Sequence, residues 1–180
     1  MRLVRGETMV LVVDIQERLM VHMDNHEELE ANMNKLLQGV TLFDMPLFLN
    51  EQYPQGLGHT ISSLREQLPH KEVFEKVTFS CCQNASLHEA LLTCKKKSAI
   101  VFGIETHVCV MQTCLDLVQM GIQPFLVVDC SGSRKRADHE IALHRMVQAG
   151  VIPMTYESVL FELCDSAKDP VFKAMSQIVK

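Results

Sequence analysis

MVLVVD, residues 9 to 14, is a run of five apolar side chains closed by a carboxylate. An unbroken apolar run this short reads as a strand covered on both faces, the mark of a parallel sheet, because a strand with one wet face would alternate. The same plan recurs along the chain. Pro46–Leu49 closes on Asn50, Ala99–Phe102 on Gly103 and Phe125–Val128 on Asp129, and Val151–Met154 is a further short apolar run. Between them lie segments of helical spacing: Leu29, Met33, Leu36, Leu37 and Val40; Val108, Met111, Leu115 and Val118; and Ile141, Leu143, His144, Met146 and Val147, with Gly150 where a C-terminal cap belongs. Strand and helix alternating from end to end imply right-handed crossovers and a parallel sheet with helices on both faces. The fold expected is a doubly wound α/β/α sandwich. Ligands in such a sheet gather outside the carboxyl ends of the strands, so polar residues just after strands are the first candidates for chemistry.

The 180 residues carry 17 Lys and Arg against 22 Asp and Glu, a net charge of −5, with 47% hydrophobic residues. An average apolar share with modest charge excludes global disorder. One domain spanning residues 1–180 is expected, with no linker or internal repeat; Pro54–Gly58 (PQGLG) reads as a loop inside it. No apolar run approaches the roughly 20 residues that cross a bilayer. Met1–Glu7 (MRLVRGE) lacks an apolar signal core, which points to a soluble, cytoplasmic protein, with mitochondrial association left open by Arg2 and Arg5.

Seven cysteines, an odd number without regular spacing, favour free thiols in a reducing compartment and offer no structural zinc pattern. The acidic balance counts against a nucleic-acid partner, which needs a concentrated positive surface. Lys95–Lys97 and Arg134–Arg136 are short basic runs that suit solvated turns.

Gly103–Val110 (GIETHVCV) carries the most chemical information. With Thr106 as a cap, a helix starting at His107 places Cys109 in its first turn, facing unpaired N–H groups and the positive end of the helix dipole. Lowering a thiol from about 8.5 to about 6.5 takes roughly 2.7 kcal/mol. A helix terminus supplies only about 0.3–1 kcal/mol, so a thiolate here needs a second cation or a base. Read alone, Cys109 is also a plausible small hydrophobe of the core. Cys114, beyond the first turn among apolar positions, reads as core, and no chemistry attaches to the other five cysteines. Asp14 suits a helix cap as well as a catalytic carboxylate. Lys76 lies in VFEKV (73–77), where a lysine commonly snorkels to water. If it turned inward, its charge near 4 Å from a thiolate would be worth about 4 kcal/mol at intermediate dielectric.

DIQ at 14–16, FEK at 74–76 and GIETHVCV at 103–110 together resemble the isochorismatase-like cysteine hydrolases. EQYPQGLG (51–58), TCLDLV (113–118), VDCSGSR (128–134) and ALHRMVQAG (142–150) are similar to the isochorismatase domain-containing branch of that family, so the likeness runs nearly end to end. The resemblance implies a six-stranded, mostly parallel sheet and a homo-oligomer. It implies that Cys109 is the nucleophile, Asp14 its base and Lys76 the cation beside both. It also implies a cis peptide at Ile104–Glu105 and an oxyanion hole formed by the backbone N–H groups of Glu105 and Cys109. Gln16, Gln52 and Tyr53, near the strand tips, are candidate pocket residues. Metal-dependent nicotinamidases of this fold carry an Asp-x-His pattern after the second strand, where this chain has Glu51, Gln52 and Tyr53, so no metal and no cofactor is expected. The histidines offer no alternative constellation.

The function expected is hydrolysis of a small-molecule amide, ester or related acid derivative through a thioester, with action on C–N bonds favoured by the presence of Cys109. The competing readings are a catalytically weak binding or scaffold protein, a ribonuclease-like protein using the basic runs, and a redox sensor, which lacks a CxxC partner.

Overall fold

The computed structural model describes residues 1–180. Six strands form one sheet: β1 (Thr8–Val13), β2 (Leu47–Gln52), β3 (Val73–Lys76), β4 (Ser98–Ile104), β5 (Gln123–Gly132) and β6 (Ile152–Met154). The helices are α1 (Glu17–Met20), α2 (His26–Thr41), α3 (Pro54–Leu57), α4 (Ser62–Arg65), α5 (Ala85–Cys94), α6 (Met111–Gln119), α7 (Arg136–Gln148), α8 (Tyr156–Cys164) and α9 (Phe172–Ile178). The strand order is β3-β2-β1-β4-β5-β6 and every pairing is parallel. The chain winds outward from β1 to β3, returns to lay β4 against β1, and winds outward again. The order therefore reverses between β1 and β4, where a doubly wound sheet opens its crevice.

β1 shows why the sheet is buried on both sides. Val10 and Val12 join Leu29, Met33, Leu36 and Leu37 of α2 and Val159, Leu160 and Leu163 of α8 in one cluster. Met9, Leu11 and Val13 alternate onto the other face, against Leu87 and Leu91 of α5, Cys114 and Leu117 of α6, and Ala142 and Met146 of α7. All six β1 residues are buried. This is the three-layer arrangement that the continuous apolar run implies.

α7 presents a face that agrees with its apolar pattern at Met146 and departs from it elsewhere. Ile141 is 69% exposed and Val147 is also exposed, whereas Ala142 and Met146 pack inward. His144 is exposed as well. The small Ala142 carries little hydrophobic weight in a sequence pattern yet seats the helix on the sheet. Gly150 has φ +94°, in keeping with its place after the end of α7. No helix is long and apolar enough to cross a membrane.

Candidate active site

The carboxyl ends of β1, β3 and β4 converge. Asp14 follows β1 with φ +52°, a left-handed conformation that Asp tolerates better than most residues. Lys76 ends β3. The chain leaving β4 passes Gly103, whose φ is +135°; a Cβ there would lie 2.0 Å from the Val13 carbonyl oxygen. Glycine thus lets the β4 tip press against the β1 tip, at an irregularity in the β4–β5 register between Val101 and Gly103. The Ile104–Glu105 peptide that follows is cis.

Lys76 turns inward. Its side chain is 1% exposed and that of Asp14 is fully buried, and Nζ donates to Asp14 Oδ2 at 2.7 Å. Nζ also meets Gln52 Oε1 at 2.7 Å and the carbonyls of Phe79 and Thr78 at 3.0 and 3.2 Å. An ammonium has three protons, so four acceptors leave none over for a ligand. The other Asp14 oxygen, Oδ1, is buried without a hydrogen-bond partner. Burial pushes the Asp14 carboxyl up, partly offset by the Lys76 ammonium and the hydrogen bond it donates. Burial pulls the Lys76 ammonium down, and the Asp14 carboxylate leads the interactions that more than reverse that.

Cys109 sits beside this pair in a wide, π-type helical turn, Thr106–Val110, that leads into α6. It is 6% exposed. Burial pushes its thiol well up, Asp14 adds to the rise, and Lys76 opposes it. Burial and the neighbouring carboxylate thus work against the thiolate that a helix start and an ammonium favour. Thr106 is not the cap. Glu105 takes that position without a side-chain bond, and Thr106 Oγ1 pairs with His139 Nδ1 at 2.9 Å. Burial lowers the His139 pKa.

The Glu105 N–H has no acceptor in the protein. Its carboxylate is held by the main-chain N–H and Nε of Arg134, both at 3.1 Å. His107 is anchored through Nδ1 to Ser133 Oγ at 3.0 Å. Cys114 is buried core, and all seven cysteines are free thiols. No cluster of three or more His, Cys, Asp or Glu side chains is arranged to hold a metal ion.

The three candidate pocket residues have different placements. Tyr53, 53% exposed, borders a cleft of about 320 Å³ with Lys76, Thr78, Gln83 and Asn84. Gln52 spends its side chain on Lys76 and the Val77 carbonyl. Gln16 is fully buried, with its amide committed to the main chain of Gln52 and Gly58. A second buried carboxylate, Glu51, escapes a reading aimed at strand tips alone. Its Oε1 accepts from the N–H and hydroxyl of Thr60, both at 2.7 Å, and its Oε2 meets His59 Nδ1 at 3.0 Å. Although burial raises it, these bonds bring the Glu51 carboxyl below its ordinary value. The only signal for it in sequence is an acid inside LFLNEQ.

A parallel sheet that gathers an acid, an ammonium and a thiol at its switch point defines a doubly wound α/β protein of hydrolase fold. The Isochorismatase domain model matches residues 8–158, and the chain belongs to the isochorismatase family. It is 33% identical over 178 residues to isochorismatase domain-containing protein 1 of Salmo salar, covering 99% of this chain and 62% of that one. The chain thus spans about three fifths of the length of that relative. Among solved structures it resembles the MAR1 ribonuclease of Caenorhabditis elegans, with 32% identity, a TM-score of 0.94 and coverage of 99% of this chain and 92% of that one. It also resembles the YcaC protein of Escherichia coli, described as an octameric hydrolase of unknown specificity, with 25% identity, a TM-score of 0.93 and coverage of 98% and 88%.

Proposed function

We propose that this chain is a cysteine-dependent hydrolase of a small amide, ester or related acid derivative, with Cys109 as nucleophile, Asp14 as base and Lys76 as the cation between them. The observation that carries this reading is the buried Asp14–Lys76 ion pair, whose second carboxylate oxygen is unpartnered and whose two charges both act on the Cys109 thiol. That oxygen takes the S–H proton as sulfur attacks the substrate carbonyl. A raised thiol makes the base necessary, and a carboxyl also raised by burial makes it a better match. The tetrahedral oxyanion is received by the N–H groups of Glu105 and Cys109. When the intermediate collapses, Asp14 returns its proton to the departing amine or alcohol, leaving a thioester. Water then attacks with Asp14 again as base, the acid is released and the thiol regains its proton. Lys76 contributes charge rather than a hydrogen bond to substrate, because its donors are occupied.

We read residues 1–180 as one functional unit. Tyr53, Val77 and Phe79, exposed around the site, together with the octameric YcaC relative, support a homo-oligomer. The likeness to MAR1 ribonuclease favours a second reading, cleavage of RNA. A net charge of −5 weighs against it, and binding of a labelled RNA that weakens steeply with salt would be its signature.

The test is a panel of small amides and esters assayed with the parent and Cys109→Ser, paired with iodoacetamide labelling mapped by mass spectrometry. The reading expects turnover that Cys109→Ser abolishes, a covalent acyl adduct on Cys109 and faster alkylation there than at the other six thiols. Turnover that survives Cys109→Ser refutes it.

A further inference from the structure

Gln16 and Gln52 spend their side-chain amides on the protein itself. The Gln16 amide brackets the main chain of Gln52, accepting from its N–H through Oε1 at 2.7 Å and donating to its carbonyl through Nε2 at 2.9 Å. A side chain here supplies what a neighbouring strand would. Nε2 also reaches the Gly58 carbonyl at 2.6 Å. The turn just past Asp14 is thereby fastened to the last residue of β2. Gln52 continues the pattern one strand further out: Oε1 accepts from Lys76 Nζ at 2.7 Å, and Nε2 donates to the Val77 carbonyl at 3.0 Å.

The geometry explains why such a tie is needed. Asp14 follows β1 and Lys76 ends β3, with β2 between them, so their main chains are about two strand spacings apart, roughly 10 Å. The ammonium must cross β2 on a flexible stem with many free rotamers. Gln52 pairs with Lys76 in the β2–β3 ladder, so its amide stands beside that path. Its carbonyl oxygen is neutral, so it holds the ammonium without competing for its charge, which stays directed at Asp14 and the thiol.

We propose that Gln16 and Gln52 are positioning residues, a two-link chain that steers the Lys76 ammonium onto Asp14 and keeps it beside Cys109. This rests on the hydrolase reading above. The test follows the rate of Cys109 alkylation by iodoacetamide against pH in the full chain, with thermal melting in parallel. In Gln52→Met, which keeps volume and loses both hydrogen bonds, alkylation at pH 7 should fall about tenfold, with the profile displaced upward by about one pH unit. Gln16→Met, which removes a side chain that bonds to neither Lys76 nor Cys109, should move the profile the same way by a smaller amount. The double variant should match Gln52→Met, because links in one chain do not add.

A folded Gln52→Met or Gln16→Met with the parent's profile overturns the proposal, since a merely structural role lowers the melting temperature without moving a titration. If Gln52→Met does not fold, Gln52→Asn, too short to keep both partners, gives the same reading. Parent protein whose Cys109 alkylates no faster than its other thiols brings down the hydrolase reading and this one together. Selective parent labelling with unmoved variants brings down this one alone.

Discussion

Lys76→Met should be among the most destabilising single substitutions in this chain, and the loss should depend on pH. The two side chains of the ion pair are 1% and 0% exposed and 2.7 Å apart, so removing the cation strands a buried carboxylate. Breaking such a pair costs about 3–5 kcal/mol. At roughly 2–4 °C per kcal/mol for a domain of this size, that is a fall in Tm of roughly 6–20 °C at pH 7. Without Lys76 the Asp14 carboxyl keeps the burial that raises it and loses what opposed the rise. Its folded-state pKa then lies further above the unfolded value of about 3.9. Stability of the variant is therefore fully present below that unfolded value and is lost as pH rises through the raised folded-state value. Asp14→Asn added to Lys76→Met should recover most of the pH 7 loss, since no charge remains stranded. Urea unfolding followed by circular dichroism at pH 4.5 and pH 7 measures all three proteins. A Lys76→Met loss below about 1 kcal/mol, the range of an exposed pair, or a double variant weaker than the single one, refutes the reasoning.

Gly103→Ala sets a Cβ 2.0 Å from the Val13 carbonyl at a φ of +135°, and should cost roughly 3 kcal/mol or prevent folding, read as Tm and soluble yield. Glu51→Gln should cost about 1–3 kcal/mol at pH 7. Because the Glu51 carboxyl is lowered in the folded state, its contribution is present above the unfolded value of about 4.3 and is lost as pH falls through the folded-state value; unfolding curves of the two proteins should converge in acid. Leu36→Ala, at a fully buried position of α2, should lose about 2–5 kcal/mol in denaturant titrations. Ile141→Ala, on the exposed face of α7, should stay within about 0.5 kcal/mol of the parent.

The parallel sheet was legible because its central strands are buried on both faces, so that β1 and β4 write themselves as unbroken apolar runs. The three strand-tip residues were legible as types and positions, and Lys76 became a candidate by being an ion inside an apolar segment. What holds it there was invisible. Two of its acceptors are main-chain carbonyls, of Thr78 and Phe79, and a backbone oxygen leaves no trace in residue identity. How deeply Cys109 is buried was not legible, because a helix start is a local feature, whereas burial under packed elements is not. The inward face of α7 was read only in part, through Met146, because hydrophobicity ranks Ile141 above Ala142, while packing against a sheet selects the smaller side chain.

The site draws on strands of unequal security. β1 and β4 lie at the middle of the sheet, while β3 is a four-residue strand at its rim, paired on one side only. Rim segments open at lower free energy than the centre of a protein. When β3 peels away it withdraws the ammonium and leaves the acid and thiol behind, so warmth or mild denaturant should silence the chain while most of its amide hydrogens still resist exchange.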